Sequence, residues 1–128
     1  MINQATTETN TLVDDFIQLY QALNKDNLHL LGRVYDDSIS FTDPMHQITG
    51  LASLTQYFAK LYKNVKHIQF EIKEVQQDAN QAALFWQMEY SHPKLNKGGL
   101  IRVDGMSQLK FNDKIYFHRD YFDLGQML

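Results

Sequence analysis

The 128-residue chain contains no cysteine, which excludes disulfides, thiolate metal ligands and cysteine nucleophiles. It also lacks any apolar run long enough to cross a bilayer and any N-terminal apolar h-region. Neither a membrane span nor a secretory signal is therefore expected, and the cytoplasm is the default location. Positive charge is not in excess either. A formal net charge of -3 and a pI near 5.9 give no general attraction to nucleic acid or anionic lipid, so neither is expected as a partner. Glycines and prolines are few, six and two, and no phosphate-binding glycine loop or serine nucleophile elbow is among them. His29, His46, His67 and His92 show no H-x-x-x-H spacing on an expected helix, so no metal site is expected.

What is present is the composition of a globular protein, 44% hydrophobic and 21% charged, at a length that suits a single domain over residues 1–128. Met1 to about Thr9 is polar and reads as an arm. Leu12, Phe16, Leu19, Tyr20 and Leu23 then recur at helical spacing, and Leu28, Leu31 and Val34 mark a shorter helix ending near Tyr35. Ser38 to Asp43 alternates as a short strand stopped by Pro44, followed by a loop through His46 and Gly50. Leu51, Leu54, Phe58, Leu61 and Tyr62 share one face of a third helix.

The remainder alternates as strands: Ile68 to Val75, Ala82 to Tyr90, Leu100 to Phe111 and Ile115 to Phe122, the last pair joined at Asn112-Asp113. Helices first and strands after predict an α+β fold, with three N-terminal helices packed on a mainly antiparallel sheet. Such a sheet can curl into a cone whose mouth is a natural pocket.

The last strand carries the densest chemistry. Strict alternation puts Tyr116, His118, Asp120 and Phe122 on one face, opposite Phe117, Arg119, Tyr121 and Asp123. His118 and Asp120 then point the same way with Cβ atoms about 6–7 Å apart, as an acid/base pair or as a satisfied polar patch. Arg119 and Asp123 are expected in ion pairs with residues such as Glu89 or Asp104. Asp43 projects from the rigid corner before Pro44, where it either transfers protons or accepts backbone N–H bonds of the turn.

Ala22-Leu23-Asn24, Tyr35-Asp36-Asp37-Ser38, Asp43-Pro44, Gly50-Leu51-Ala52 with Tyr57-Phe58, and His118-Arg119-Asp120-Tyr121-Phe122-Asp123 together resemble one branch of the nuclear transport factor 2-like (NTF2-like) superfamily. This branch holds ketosteroid isomerase and the SnoaL-like polyketide cyclases. The resemblance implies a strongly curved sheet cone with three helices, commonly a homodimer. It sets Asp43 where ketosteroid isomerase keeps its general base, but Leu19 and Ser107 where that enzyme has its oxyanion tyrosine and protonated aspartate. Tyr20, about 100° round the helix from Leu19, is a poor substitute. Steroid isomerisation of that type is therefore not expected.

Asp120 instead falls where the polyketide cyclases are similar in placing an acid/base aspartate, with His118 as its partner or a carbonyl donor. The superfamily's epoxide hydrolases need an Asp-Arg-Asp arrangement, which Arg119 on the opposite face does not support. The resemblance implies a hydrophobic, carbonyl-bearing small-molecule ligand. The expected lining is Leu19, Tyr20, Phe58, Trp86, Met88, Ser107, Tyr116 and Phe122. Proton transfer beside a carbonyl needs no metal or cofactor, and none is expected. The alternative is a non-catalytic ligand-binding or dimeric interaction module.

Overall fold

In the computed structural model, which describes residues 4–65 and 67–127, the first helical pattern forms α1 (Gln4–Ala22). Gln4 to Thr9 is thus helical rather than an arm, and Met1 to Asn3 lie outside the described residues. Val13, Phe16 and Leu19 supply its buried stripe, which Leu23 continues just past the helix end. The second expected helix is a 3-10 turn, Leu28–Arg33, anchored by buried Leu28 and Leu31.

β1 (Tyr35–Thr42) begins sooner than its alternation suggests, and beyond Pro44 the chain doubles back as β2 (Gln47–Thr49). The sequence suggests a loop for those three residues, but they pair antiparallel with Ser40, Phe41 and Thr42, a segment too short to show a period. Gly50 then turns into α2 (Leu51–Asn64) with φ of 97°, a conformation open to glycine and strained for other residues. β3 (His67–Gln77), β4 (Gln81–Ser91), β5 (Ile101–Phe111) and β6 (Ile115–Phe122) follow as an antiparallel meander.

Among the described residues the strands form one sheet in the order β2-β1-β6-β5-β4-β3, in which only β1 and β6 pair parallel. The N-terminal half therefore contributes two α-helices and a 3-10 turn rather than three full helices. Leu31, Ile39, Leu54, Leu84, Leu109 and Ile115 are fully buried between helices and sheet, each contributing about 1.5–3 kcal/mol by burial. A smaller cluster gathers Tyr90, Ile101 and Val103 at the far end of β4 and β5. Among the described residues no helix is long and apolar enough to cross a membrane.

β6 does not alternate strictly. Phe111 pairs with Ile115 while Lys110 pairs with Phe117, so Tyr116 is an extra residue in a β-bulge. The bulge resets the pleat, and buried Ile115 and His118 come to share a face although three positions apart. Tyr116 itself is 41% exposed.

Candidate functional site

Between α1, α2 and the sheet lies a cavity of about 400 Å³. Phe16 and Tyr20 line it from α1, Tyr57, Phe58, Leu61 and Tyr62 from α2, and Phe70, Trp86, Met88 and Phe122 from the sheet. Its polar lining includes Asp43, His46, Lys60, Ser107 and Asp120. Several of the rings meet at steep angles, Phe70 on Trp86 at 86° and Tyr20 on Phe58 at 82°, an edge-to-face packing favoured by aromatic quadrupoles. Gly105 makes room for this wall. A Cβ there would lie 2.3 Å from the Trp86 indole, so the ring crosses β5 only because the position is glycine.

Asp120 is held by one oxygen. Its Oδ1 accepts from the Ser107 hydroxyl at 2.5 Å and lies 2.6 Å from His118 Nε2, while no described residue donates to Oδ2. Trp86 Nε1 donates to Ser107 Oγ at 2.9 Å, which turns the serine proton towards the carboxylate. A carboxylate only accepts, so the His118 proton belongs on Nε2. Nδ1, left as acceptor, takes the Tyr35 hydroxyl at 2.6 Å, and Tyr35 in turn accepts from Tyr20 at 2.6 Å. The chain of bonds from Tyr20 to Asp120 thus begins and ends on residues lining one cavity.

His118 does not line that cavity. It is 1% exposed, stacked near Tyr35 and edged by Phe16 and Phe41, so it orients Asp120 from behind rather than meeting a ligand. Burial holds the hydroxyls of Tyr20 and Tyr35 well above the ordinary tyrosine range, with mutual repulsion and the Asp120 charge adding to the effect at Tyr20. Both remain neutral donors. Burial raises Tyr57 too, with a further rise from the neighbouring Asp43, and raises Tyr62 alone.

Asp43 sits at the corner between β1 and β2 with both oxygens engaged. Oδ1 accepts the backbone N–H groups of Met45 at 2.8 Å and His46 at 2.7 Å and lies 3.0 Å from His46 Nδ1, and Oδ2 accepts the Tyr57 hydroxyl at 3.0 Å. It lines the cavity as the turn-bracing carboxylate, whereas Asp120 Oδ2 takes no donor among the described residues.

Of the other residues expected in the lining, Tyr20, Phe58, Trp86, Met88, Ser107 and Phe122 are there. Leu19 and Tyr116 are not. Leu19 packs into the core, and it is Tyr20, on the stripe shared with Phe16 four residues earlier, that turns to the cavity. The 100° step that discounted Tyr20 is what delivers it. Tyr116 is removed by the bulge.

Sequence reasoning missed Tyr35, whose partner is 83 residues away, and Tyr57, Tyr62, Phe70 and Tyr90. Tyr90 was within reach, since it shares a strand face with Trp86 and Met88. The expected ion pairs also differ: Glu89 pairs with Arg102 at 2.6 Å, Arg119 lies over the Tyr121 ring, and Asp123 accepts the Gly125 N–H. Among the described residues no group of three histidine or acidic side chains is arranged to hold a metal ion.

Solved structures share this architecture. A protein with a ketosteroid isomerase-like fold from Catenulispora acidiphila, in complex with trimethylamine, matches with a TM-score of 0.78 and 13% identity, covering 91% of this chain and 88% of its own. An LEH-like epoxide hydrolase from M. tuberculosis matches at 0.75 and 16% identity, covering 94% and 86%. A candidate SnoaL-like polyketide cyclase from Shewanella denitrificans matches at 0.78 and 16%, covering 93% of each chain. At such identities the likeness shows the NTF2-like fold alone. No curated protein matches by sequence. The model of the SnoaL-like domain matches residues 16–118, from the cavity-facing Phe16 to His118 behind Asp120, and the chain belongs to that family.

Proposed function

We propose that the protein binds an apolar small molecule bearing a carbonyl in this cavity, and that Asp120 moves a proton on the carbon beside that carbonyl. The observation that carries the reading is the asymmetry of Asp120, with Oδ1 fixed by Ser107 and His118 and Oδ2 unengaged. A base set in this way is positioned without being neutralised by protein donors. Oδ2 takes the proton as the C–H bond breaks, and the electron pair moves to the carbonyl oxygen as an enolate. In a β,γ-unsaturated ketone the resulting dienolate takes the proton back from Oδ2 at the γ-carbon as the double bond shifts into conjugation, an isomerisation. Otherwise the enolate carbon attacks a second carbonyl carbon of the same molecule, whose C=O π pair becomes an alkoxide that takes the Oδ2 proton, a cyclisation.

Tyr62, a neutral hydroxyl in the lining that is engaged by no described side chain, is the donor available to the developing oxyanion. Asp43, occupied by its own turn through Oδ1 and by Tyr57 through Oδ2, shapes the mouth. An epoxide hydrolase reading is not favoured, since Arg119 is stacked on Tyr121 and absent from the lining. The homodimer and the cytoplasmic location belong to the same proposal, with the sheet face carrying exposed Tyr121 as the subunit contact.

The test is to incubate the protein in D₂O with a panel of apolar aryl ketones and 1,3-diketones and to follow deuterium entering the α-carbon by NMR. Wild type should exchange above buffer, and Asp120→Asn should slow the exchange by roughly 10²–10⁴-fold while still binding. Binding without exchange would leave the non-catalytic module, and absence of binding across the panel would refute the site.

A further inference from the structure

Tyr90 follows Trp86 and Met88 on the cavity face of β4. It is 4% exposed, and among the described residues its hydroxyl is the one buried side-chain polar atom with no hydrogen-bond partner. An orphaned hydroxyl of this kind is destabilising, and native proteins seldom retain one without a use. The side chains packed around Tyr90 include the apolar Ile68, Ile101, Val103 and Leu95, and a lone buried water, which takes two to four polar partners, finds none in them.

Along the sheet, Tyr90 also stands far from the reacting end. Asp120 is level with Ser107 and, across it, with Leu84, six positions before Tyr90 on β4. That is about 20 Å of strand, walled between by the apolar Trp86, Met88 and Phe122.

Resting on the reading of the site given above, we infer that the Tyr90 hydroxyl is a second polar anchor. The ligand class is an elongated, largely apolar molecule of at least two rings, with its carbonyl at Asp120 and a hydroxyl or second carbonyl at the opposite end. The hydroxyl has almost no surface open to the empty cavity, so the ligand's distal group reaches it by displacing the side chains packed over it, and the unliganded protein tolerates the orphan as the condition of selecting for length.

The experiment uses the full chain, wild type and Tyr90→Phe, titrated by calorimetry with 4-acetylbiphenyl and with 4-acetyl-4′-hydroxybiphenyl, which places a hydroxyl at the end remote from the ketone. Wild type should bind the hydroxylated compound roughly fivefold to tenfold more tightly, and Tyr90→Phe should bind the two alike. Equal binding by wild type, or an advantage that survives in Tyr90→Phe, overturns this inference alone. Failure of wild type to bind either compound overturns the site reading and this inference with it. Without ligand, Tyr90→Phe should raise Tm by roughly 2–5 °C, because it removes an unsatisfied group, and an unchanged or lowered Tm would show that the hydroxyl already has a partner.

Discussion

Tyr35→Phe deletes one oxygen and no part of the ring, yet it is expected to be the most damaging hydroxyl deletion in the protein. The Tyr35 hydroxyl is fully buried, donates to His118 Nδ1 and accepts from Tyr20, each at 2.6 Å. Its removal leaves Nδ1 as an acceptor without a donor, surrounded by the rings of Phe16 and Phe41, at a cost of about 1–3 kcal/mol. Tyr20 loses its acceptor as well, but it lines the cavity and water can replace the bond, so that loss is smaller. The sum is about 2–4 kcal/mol, a large share of the 5–15 kcal/mol typical of a domain. With an unfolding entropy of about 0.27 kcal/mol per degree for 128 residues, Tm should fall by roughly 7–15 °C. Tyr20→Phe removes a single neutral bond while Tyr35 still serves His118, and should cost about 1 kcal/mol. Urea unfolding of the two variants, read as shifts of midpoint at constant slope, gives the comparison. A Tyr20→Phe loss equal to or above that of Tyr35→Phe, or a Tyr35→Phe loss well under 1 kcal/mol, would refute the chain of donors drawn here.

Alkaline pH tests the same hydroxyls, since Tyr20 and Tyr35 are held well above the ordinary tyrosine value of about 10 in the folded protein. Above about pH 10 the unfolded chain releases these protons while the folded one keeps them, so stability falls as pH rises, by about 1.4 kcal/mol per pH unit for each such tyrosine. Urea midpoints from pH 9 to 11.5 should drop more steeply for wild type than for Tyr35→Phe, and parallel slopes would contradict the burial effect. Gly105→Ala sets a methyl group against the Trp86 ring and should destabilise by about 1–3 kcal/mol. Because Trp86 is the single tryptophan, its emission should shift to the red as the indole leaves Ser107, and an unchanged spectrum would show that the wall absorbs the methyl.

Much of the fold could be read from the chain because its signals are local. The four long strands appear in the alternation, and α2 in the spacing of Leu51, Leu54, Phe58 and Leu61. Asp43 at the Pro44 corner and the shared face of His118 and Asp120 were legible for the same reason, since both depend on neighbours within a few residues. What escaped depends on distance or on a break in period. A bulge is invisible in composition, so Tyr116 was placed with His118. β2 has three residues, too few to establish a period, and its pairing with β1 is a tertiary fact. Whether Leu19 or Tyr20 faces the cavity turns on how α1 is rotated about its own axis, which packing against the sheet decides. The division of labour between the aspartates was hidden too, because it rests on which oxygen of each finds donors.

The parallel pairing of β1 with β6 bears on how the protein is made as well as on its shape. β1 is synthesised early, yet one of its two neighbours, β6, leaves the ribosome after the other strands of the sheet, and until then Tyr35 lacks His118 to bond. The meander β3 to β6 can zip from turn to turn, while the closure of β1 on β6 carries the entropy of a long loop and belongs to a late step. A nascent chain therefore has helices and hairpins before it has a cavity floor, and an apolar ligand has nowhere to bind until the whole sheet is assembled.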